Sequence, residues 1–283
     1  MTTASPYQRR RITDRVVRGA CLFATLLALV PLISVLYYVA VRGAGGVTLD
    51  FFTELPKPVG EKGGGMANAI AGTLELVGLA CLFGIPPGVL AGIYLAEYGS
   101  SKFGRFVRFS ADVMSGIPSI TVGLFVYALL VLSAKHFSAL AGGFALAVLM
   151  LPTVTRATEE LLKLVPESLR EAGLGLGVPQ WRVTLRVMLR TAAPGIATGI
   201  MLAVARVAGE TAPLLFTAFN NRFWARGINE PTASLPVNIY TYAVSPYEEW
   251  HQQAWAAALV LVGLVLMLNI LARLLVRNRM RTR

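Results

Sequence analysis

EELLKLVPESLREAGLGLGVPQWRVTLRVMLR, residues 159–190, is charged and helix-forming, and it lies within a longer segment, 156–194, set between two apolar runs long enough to cross a bilayer. A hydrophilic helical hairpin between two spans marks a polytopic membrane protein that keeps a docking element outside the membrane. Within the hairpin, Ala172, Gly173, Gly175 and Gly177 leave one side of a short helix without bulk, so that a partner's groove can close on its backbone. Pro166 and Pro179 divide the segment into separate pieces. The competing reading is an amphipathic helix at the lipid surface, which basic residues at 170, 182, 186 and 190 also favour. Glu171 and four small residues are poor lipid anchors, so docking is the better reading.

Composition agrees with this class. The 283 residues are 55% hydrophobic and only 14% charged, too apolar for a soluble domain of that size. A spanning helix needs roughly 20 apolar residues, and six stretches qualify: about 20–41, 69–95, 107–133, 138–155, 195–219 and 254–276. The expected fold is therefore an all-α polytopic membrane protein with six transmembrane helices. The net charge of +11 does not point to nucleic acid, because the basic residues flank spans and form no single patch with interleaved aromatics. With the N-terminus inside, segments 1–19, 96–108, 156–194 and 273–283 carry 19 of the 26 Lys and Arg, and the outer segments carry 6. The positive-inside rule thus places both termini in the cytoplasm, the chain being a multi-pass protein of the bacterial cytoplasmic (inner) membrane. The basic tail 1–19 leads into an apolar run too long for a cleaved leader, and no small-x-small site follows it, so 20–41 reads as a retained first helix. Cys21 and Cys81 fall within spans and indicate neither a disulfide framework nor a metal site.

The outer connection 42–67 is rich in Gly and Pro, and GEKGGG at 60–65 is a flexible loop rather than a phosphate cradle, since no Lys-Ser/Thr and helix start follow it. Pro31 is expected to kink the first span, and Pro86, Pro87 and Pro118 interrupt later ones, either as local kinks or where a helix lines a polar path. Arg156 and Glu159 share a helix face at the inner mouth; a solvated ion pair and a gating role are both open for them. Arg206 lies eleven residues into the fifth span, roughly 16 Å at 1.5 Å per residue, with Glu210 one turn above it on the same face. Charges at such depth face a bundle interior or a water-filled cavity. The favoured reading is that Arg206 offers positive potential to a transiting oxyanion while Glu210 holds the guanidinium; the alternative is a structural bridge. The long outer connection 220–253 is expected to be partly helical at LPVNIYTYA, 235–243. The tail 277–283 stays inside.

Glu171-Ala172-Gly173, three residues, Gly177, nine residues, then Val187 and Leu189 resembles the coupling motif of type I ABC importer permeases, whose pattern is Glu-Ala-Ala, three residues, Gly, nine residues, Ile-x-Leu-Pro. Gly173 stands where the second Ala is usual. Arg190 replaces the usual Pro, with Pro194 following four residues later, which puts the turn geometry after Leu189 in question. LAEYG (95–99), SGIPSITVGLF (115–125), LPTVTRATEELLKLVPESLREAGLGLG (151–177), ARVAGETAPL (205–214) and LPVNIYTYA (235–243) are similar to permease subunits of bacterial phosphate-specific ABC importers.

The resemblance covers roughly 68–276 and implies a type I importer transmembrane domain there, with 156–194 as its cytoplasmic coupling segment. It implies pairing with a homologous second permease, docking on a cytoplasmic ATPase dimer through Glu171, Ala172, Gly173 and Gly177, and delivery of phosphate by an extracytoplasmic binding protein. ATP and Mg would be bound by the ATPase, with no cofactor in this chain and no catalysis by it. Arg206, Glu210, Arg156 and Glu159 are the expected translocation or gating residues. A permease for molybdate, sulfate or another oxyanion is the alternative within this class. A membrane enzyme would need a His, Cys and acid constellation that the spans lack, and a secondary transporter would show inverted repeats that the sequence does not.

Overall fold

The computed structural model describes residues 6–58, 61 and 63–281. Residues 1–5 of the basic tail, 59, 60 and 62 of the outer loop (including part of GEKGGG) and 282–283 lie outside the described residues. The fold is all-α, and among the described residues five helices are long and apolar enough to span, six if one bent pair counts as a single span.

Helix α1, Pro6–Ala44, runs from the basic tail through the first span and stays helical across Pro31. The short α2, Leu49–Thr53, is capped by the Thr48 hydroxyl, which accepts from Phe51 N–H. Helix α3, Ala67–Tyr98, contains Pro86 and Pro87 without ending. Helix α4, Lys102–Gly116, is followed by α5, Ser119–Val126, a wide π turn, Tyr127–Val131, and α6, Leu132–Ala134. Helix α7 is Ala139–Lys163, α8 is Glu167–Gly175 and α9 is Gln180–Val183. A second π turn, Thr184–Met188, leads into α10, Leu189–Ala208. Three more helices, α11 (Ala212–Thr217), α12 (Leu235–Ala243) and α13 (Glu248–Arg281), complete the chain.

Glycines set the packing of the central pair. A Cβ built on Gly88 would lie 2.9 Å from Val154, and one on Gly92 would lie 2.5 Å from Thr158. Gly84 meets Met150, and Gly142 meets Leu76. Every one of these partners is separated by 66 residues, so α3 and α7 run parallel in one fixed register, four residues per step. Small residues at such spacing let backbones approach closely, which is how apolar helices associate in lipid. In contrast, Gly195 meets Leu161 and Gly199 meets Ala157, so α10 runs antiparallel to α7.

Two expected continuous spans are broken. The stretch 107–133 is divided at Ile117-Pro118, where α4 and the α5–α6 unit meet at 105°. Pro118 has no N–H to continue the ladder, and Ile117 before it is extended. Because α3 and α7 are parallel, the chain between them must travel back along the bundle, and this bent unit makes that return. The stretch 195–219 is also two helices: α10 ends at Ala208, and Gly209, Glu210 and Thr211 intervene before α11 starts with Pro213 in its first turn.

Other boundaries shift less. The hydrophilic segment 156–194 is not freestanding, since 156–163 extends α7 and 189–194 opens α10. After Leu189 there is no turn; the chain widens into the π turn before it, and Pro194 is accommodated inside α10. At the far end of the bundle, the connection after α11 carries α12, whose Leu235, Val237, Asn238 and Tyr242 are buried. Tyr242 stacks on Trp250 of α13 at 4.3 Å. Helix α1 stands apart, with no residue of its most apolar window buried. It meets α13 where Gly43 abuts Trp255 and Leu259.

Candidate coupling and translocation site

Pro166 caps the start of α8, and Glu167 in the first turn complements the positive end of the helix dipole. The helix ends in a Schellman turn: Val178 N–H donates to Gly173 C=O at 3.2 Å and Gly177 N–H to Leu174 C=O at 2.9 Å. Gly177 takes the left-handed conformation that this turn requires, φ +75°. No atom lies near its missing Cβ, so only the backbone demands glycine there. Gly177→Ala is therefore expected to destabilise the turn by about 1–2 kcal/mol and Gly177→Asn by less, read out as faster amide exchange across α8.

Gly173 is committed internally as well, its α-carbon facing Val183 of α9, where a Cβ would meet Cγ2 at 2.9 Å. Its small size thus lets the hairpin close on itself. Glu171, Ala172, Gly175 and Gly177 face outward. Beside them Leu174, Leu176 and Trp181 are exposed, at 44%, 83% and 58%. Arg182 lies 5.0 Å over the Trp181 ring. The sequence gives no sign of this apolar rim, because leucines in a helical pattern signal an inward face.

The hairpin is fastened to α3 by Glu97. Its carboxylate, 6% exposed, accepts a two-pronged fork from Arg170 at 2.7 Å on each side. Gln180 Nε2 donates to it at 2.9 Å and Thr184 Oγ1 at 3.1 Å.

Arg156 and Glu159 do pair, at 3.1 Å, but not as a solvated surface bridge. Glu159 is 1% exposed and also receives Lys163 Nζ at 2.6 Å and Arg108 Nε at 3.0 Å, with the second Arg108 nitrogen in contact too. Arg156 turns its other face to Asp112, 2.9 Å from Nε. Arg108 further donates to Gly99 C=O at 3.3 Å. One buried carboxylate thus gathers cations from α4 and α7 at the end of the bundle that carries α8. The sequence shows the pair three residues apart, but not partners 44 and 51 residues away.

Arg206 occupies the last turn of α10, where a cation complements the helix dipole. Its side chain is 56% exposed on the flank of the chain, Glu210 18%. Because the helix ends between them, Glu210 is not one turn above on the same helical face; the two approach to 3.9 Å, beyond hydrogen-bonding distance. Arg206 and Glu210 are brought near each other, while Arg156 and Glu159 form the separate cluster described above.

A family model for the binding-protein-dependent transport system inner membrane component matches residues 88–281. The phosphate transport system permease protein PstA of Yersinia pestis is 48% identical over 94% of this chain and 90% of its own length. The chain belongs to the PstA permease family. PstA of Xylella fastidiosa (strain Temecula1) is 46% identical over 99% of both chains, so the PstA likeness takes in α1 as well as the region covered by the family model. Among solved structures, a bacterial alginate ABC transporter in complex with its alginate-bound periplasmic protein superposes with a TM-score of 0.64 at 16% identity, covering 93% of this PstA-family chain and 94% of that one. The inward-facing MetNI methionine ABC transporter superposes at 0.59 and 20% identity, over 75% and 96%. These two establish the fold of the PstA-type chain as that of ABC transporter permeases.

Proposed function

We propose that this chain is a membrane subunit of an ATP-driven importer of inorganic phosphate, working with a homologous second permease, a cytoplasmic ATPase dimer and an extracytoplasmic phosphate-binding protein. The near full-length similarity to proteins named as phosphate transport permeases carries this reading. The basic flanks of the spans support an orientation with both termini and α8 in the cytoplasm. There the exposed residues Glu171, Ala172, Gly175 and Gly177, rimmed by Leu174, Leu176 and Trp181, form the face that a nucleotide-binding subunit grips. An exposed apolar rim on a hydrophilic hairpin fits a protein groove better than water. Gly173 serves that face indirectly, by letting the hairpin close on Val183, while Gly177 also holds the turn that ends α8. ATP and Mg are bound by the partner; this chain supplies the gate and the path.

In this reading Arg206, exposed on the flank of α10, looks into the path formed with the second permease and offers positive potential to the anion. Its loose contact with Glu210 leaves the guanidinium free to meet a transiting oxyanion without trapping it. The Glu159 cluster holds α4 and α7 together at the inner mouth. Arg206→Gln is expected to slow uptake about tenfold or more, equivalent to about 1.4 kcal/mol of barrier, while the complex assembles normally. Unchanged uptake would remove Arg206 from the path.

The deciding experiment is ATP-dependent uptake of labelled phosphate, sulfate and molybdate into vesicles containing the purified complex with its binding protein. Phosphate uptake that needs ATP is expected. ATP-independent flux, or preference for sulfate or molybdate, overturns the reading.

A further inference from the structure

We infer that Glu97 is the positioning residue through which displacement of α8 is delivered to the α3–α7 pair, an inference that rests on the reading of α8 as the coupling helix. Covalently, the hairpin joins α7 on one side and α10 on the other; α3 is not its neighbour in sequence. Ile93 and Ala96 of α3 pack against the apolar cluster around Val183, and Glu97 supplies the directional, polar attachment. Its donors come from each separate piece of the hairpin: Arg170 from α8, Gln180 from α9 and Thr184 from the start of the second π turn. No residue of α8 is fully buried, so apolar packing holds the helix weakly. A guanidinium fork on a carboxylate is directional as well as strong, so α8 cannot roll against α3 without breaking both prongs. Arg170 is steadied on its other side by Glu167, 3.5 Å from Nε.

Beyond Glu97 the path is stiff. Leu95 is fully buried, and Gly92 is locked against Thr155 and Thr158 of α7. Gly99, two residues on, accepts from Arg108, which is itself tied to Glu159. A pull on Glu97 therefore moves α3 and α7 as one body, whereas the connection from the hairpin to α10 passes through the π turn Thr184–Met188. Such turns interrupt the regular ladder and are common at functional sites.

A static staple and a transmission residue differ in one readout. The assembled complex, with both permeases, the ATPase and the binding protein, is placed in vesicles, and ATP hydrolysis and phosphate uptake are measured on the same sample. For Glu97→Ala, ATP hydrolysed per phosphate imported is expected to rise about fivefold or more, with the ATPase still co-purifying in wild-type proportion. Glu97→Asp, which keeps the carboxylate, should recover much of the ratio, and Arg170→Lys, which keeps charge but loses the fork, should fall between. If Glu97→Ala does not assemble, Glu97→Gln, nearly the same in shape, is judged by the same ratio. An unchanged ratio, or two activities falling together with the amount of assembled complex, overturns the inference and leaves the coupling reading standing. Absence of a co-purifying ATPase from the wild-type complex overturns both.

Discussion

Glu159→Ala is expected to lower the stability of the purified permease by about 3 kcal/mol, the lower end of the range for a buried ion pair stripped of one partner. The carboxylate is 1% exposed and is shared by Arg108, Arg156 and Lys163. Deleting it leaves these three cations facing one another with Asp112 as the anion at hand, and Asp112 engages Arg156 alone among them. Lys163, half exposed, can turn to water; Arg108 and Arg156 are more confined, which sets the size of the loss. Glu159→Gln keeps an acceptor for one donor and should cost less than the alanine. The check is denaturant unfolding in detergent micelles, with uptake assayed in parallel. A loss below about 1 kcal/mol, the ordinary worth of a solvated bridge, would return Glu159 to the surface role its spacing with Arg156 first allows.

Gly72→Ala should act at the opposite end of the bundle and with comparable force. A methyl group there would drive into the Ala233 carbonyl oxygen and lie 2.6 Å from Thr232 Cγ2. The obstacle is backbone, which cannot swing aside as a side chain can. Moving it also threatens the bond from Leu235 N–H to Thr73 Oγ1, 2.8 Å, which starts α12 on the surface of α3. Asn68 is held nearby by Asn221 C=O at 2.7 Å, so the strain spreads into the whole outer connection. Overpacking of this kind costs about 1–3 kcal/mol, with the upper end expected here. Gly78 in the same helix is the control. It has nothing within 4 Å of a built Cβ, and Gly78→Ala should be neutral or stabilise by up to about 1 kcal/mol. Limited proteolysis of the 219–234 connection distinguishes them: accelerated cleavage for Gly72→Ala, unchanged for Gly78→Ala. Equal behaviour would mean that the outer connection is not seated on α3.

Spans, the hairpin and helix 235–243 were legible because each depends on local signals: apolar run length, punctuating prolines and a compact motif. The break at Pro118 was visible as a residue but not as an event. Pro31, Pro86, Pro152 and Pro194 lie inside helices that continue, whereas Pro118 ends one. What distinguishes it is tertiary: Gly123 just beyond lies against Pro213, so α5 is held in place by a helix ninety residues downstream. The small residues of the hairpin motif are ambiguous in the sequence. Gly177 answers to a backbone angle and Gly173 to Val183, and neither demand can be told from docking by composition. Glu97 gave least warning, since a lone acidic residue after a span looks solvated until Arg170, Gln180 and Thr184 are brought to it from 73 to 87 residues away.

The glycine notches between α3 and α7 also govern what movement this pair permits. With Gly84, Gly88 and Gly92 each seated on its own counterpart, a slide of either helix along the other would lift bulky groups onto bulky groups at every step. The two helices are therefore geared against any piston stroke. Any rearrangement of this pair must tilt the two helices together, as a single plank levered from one end.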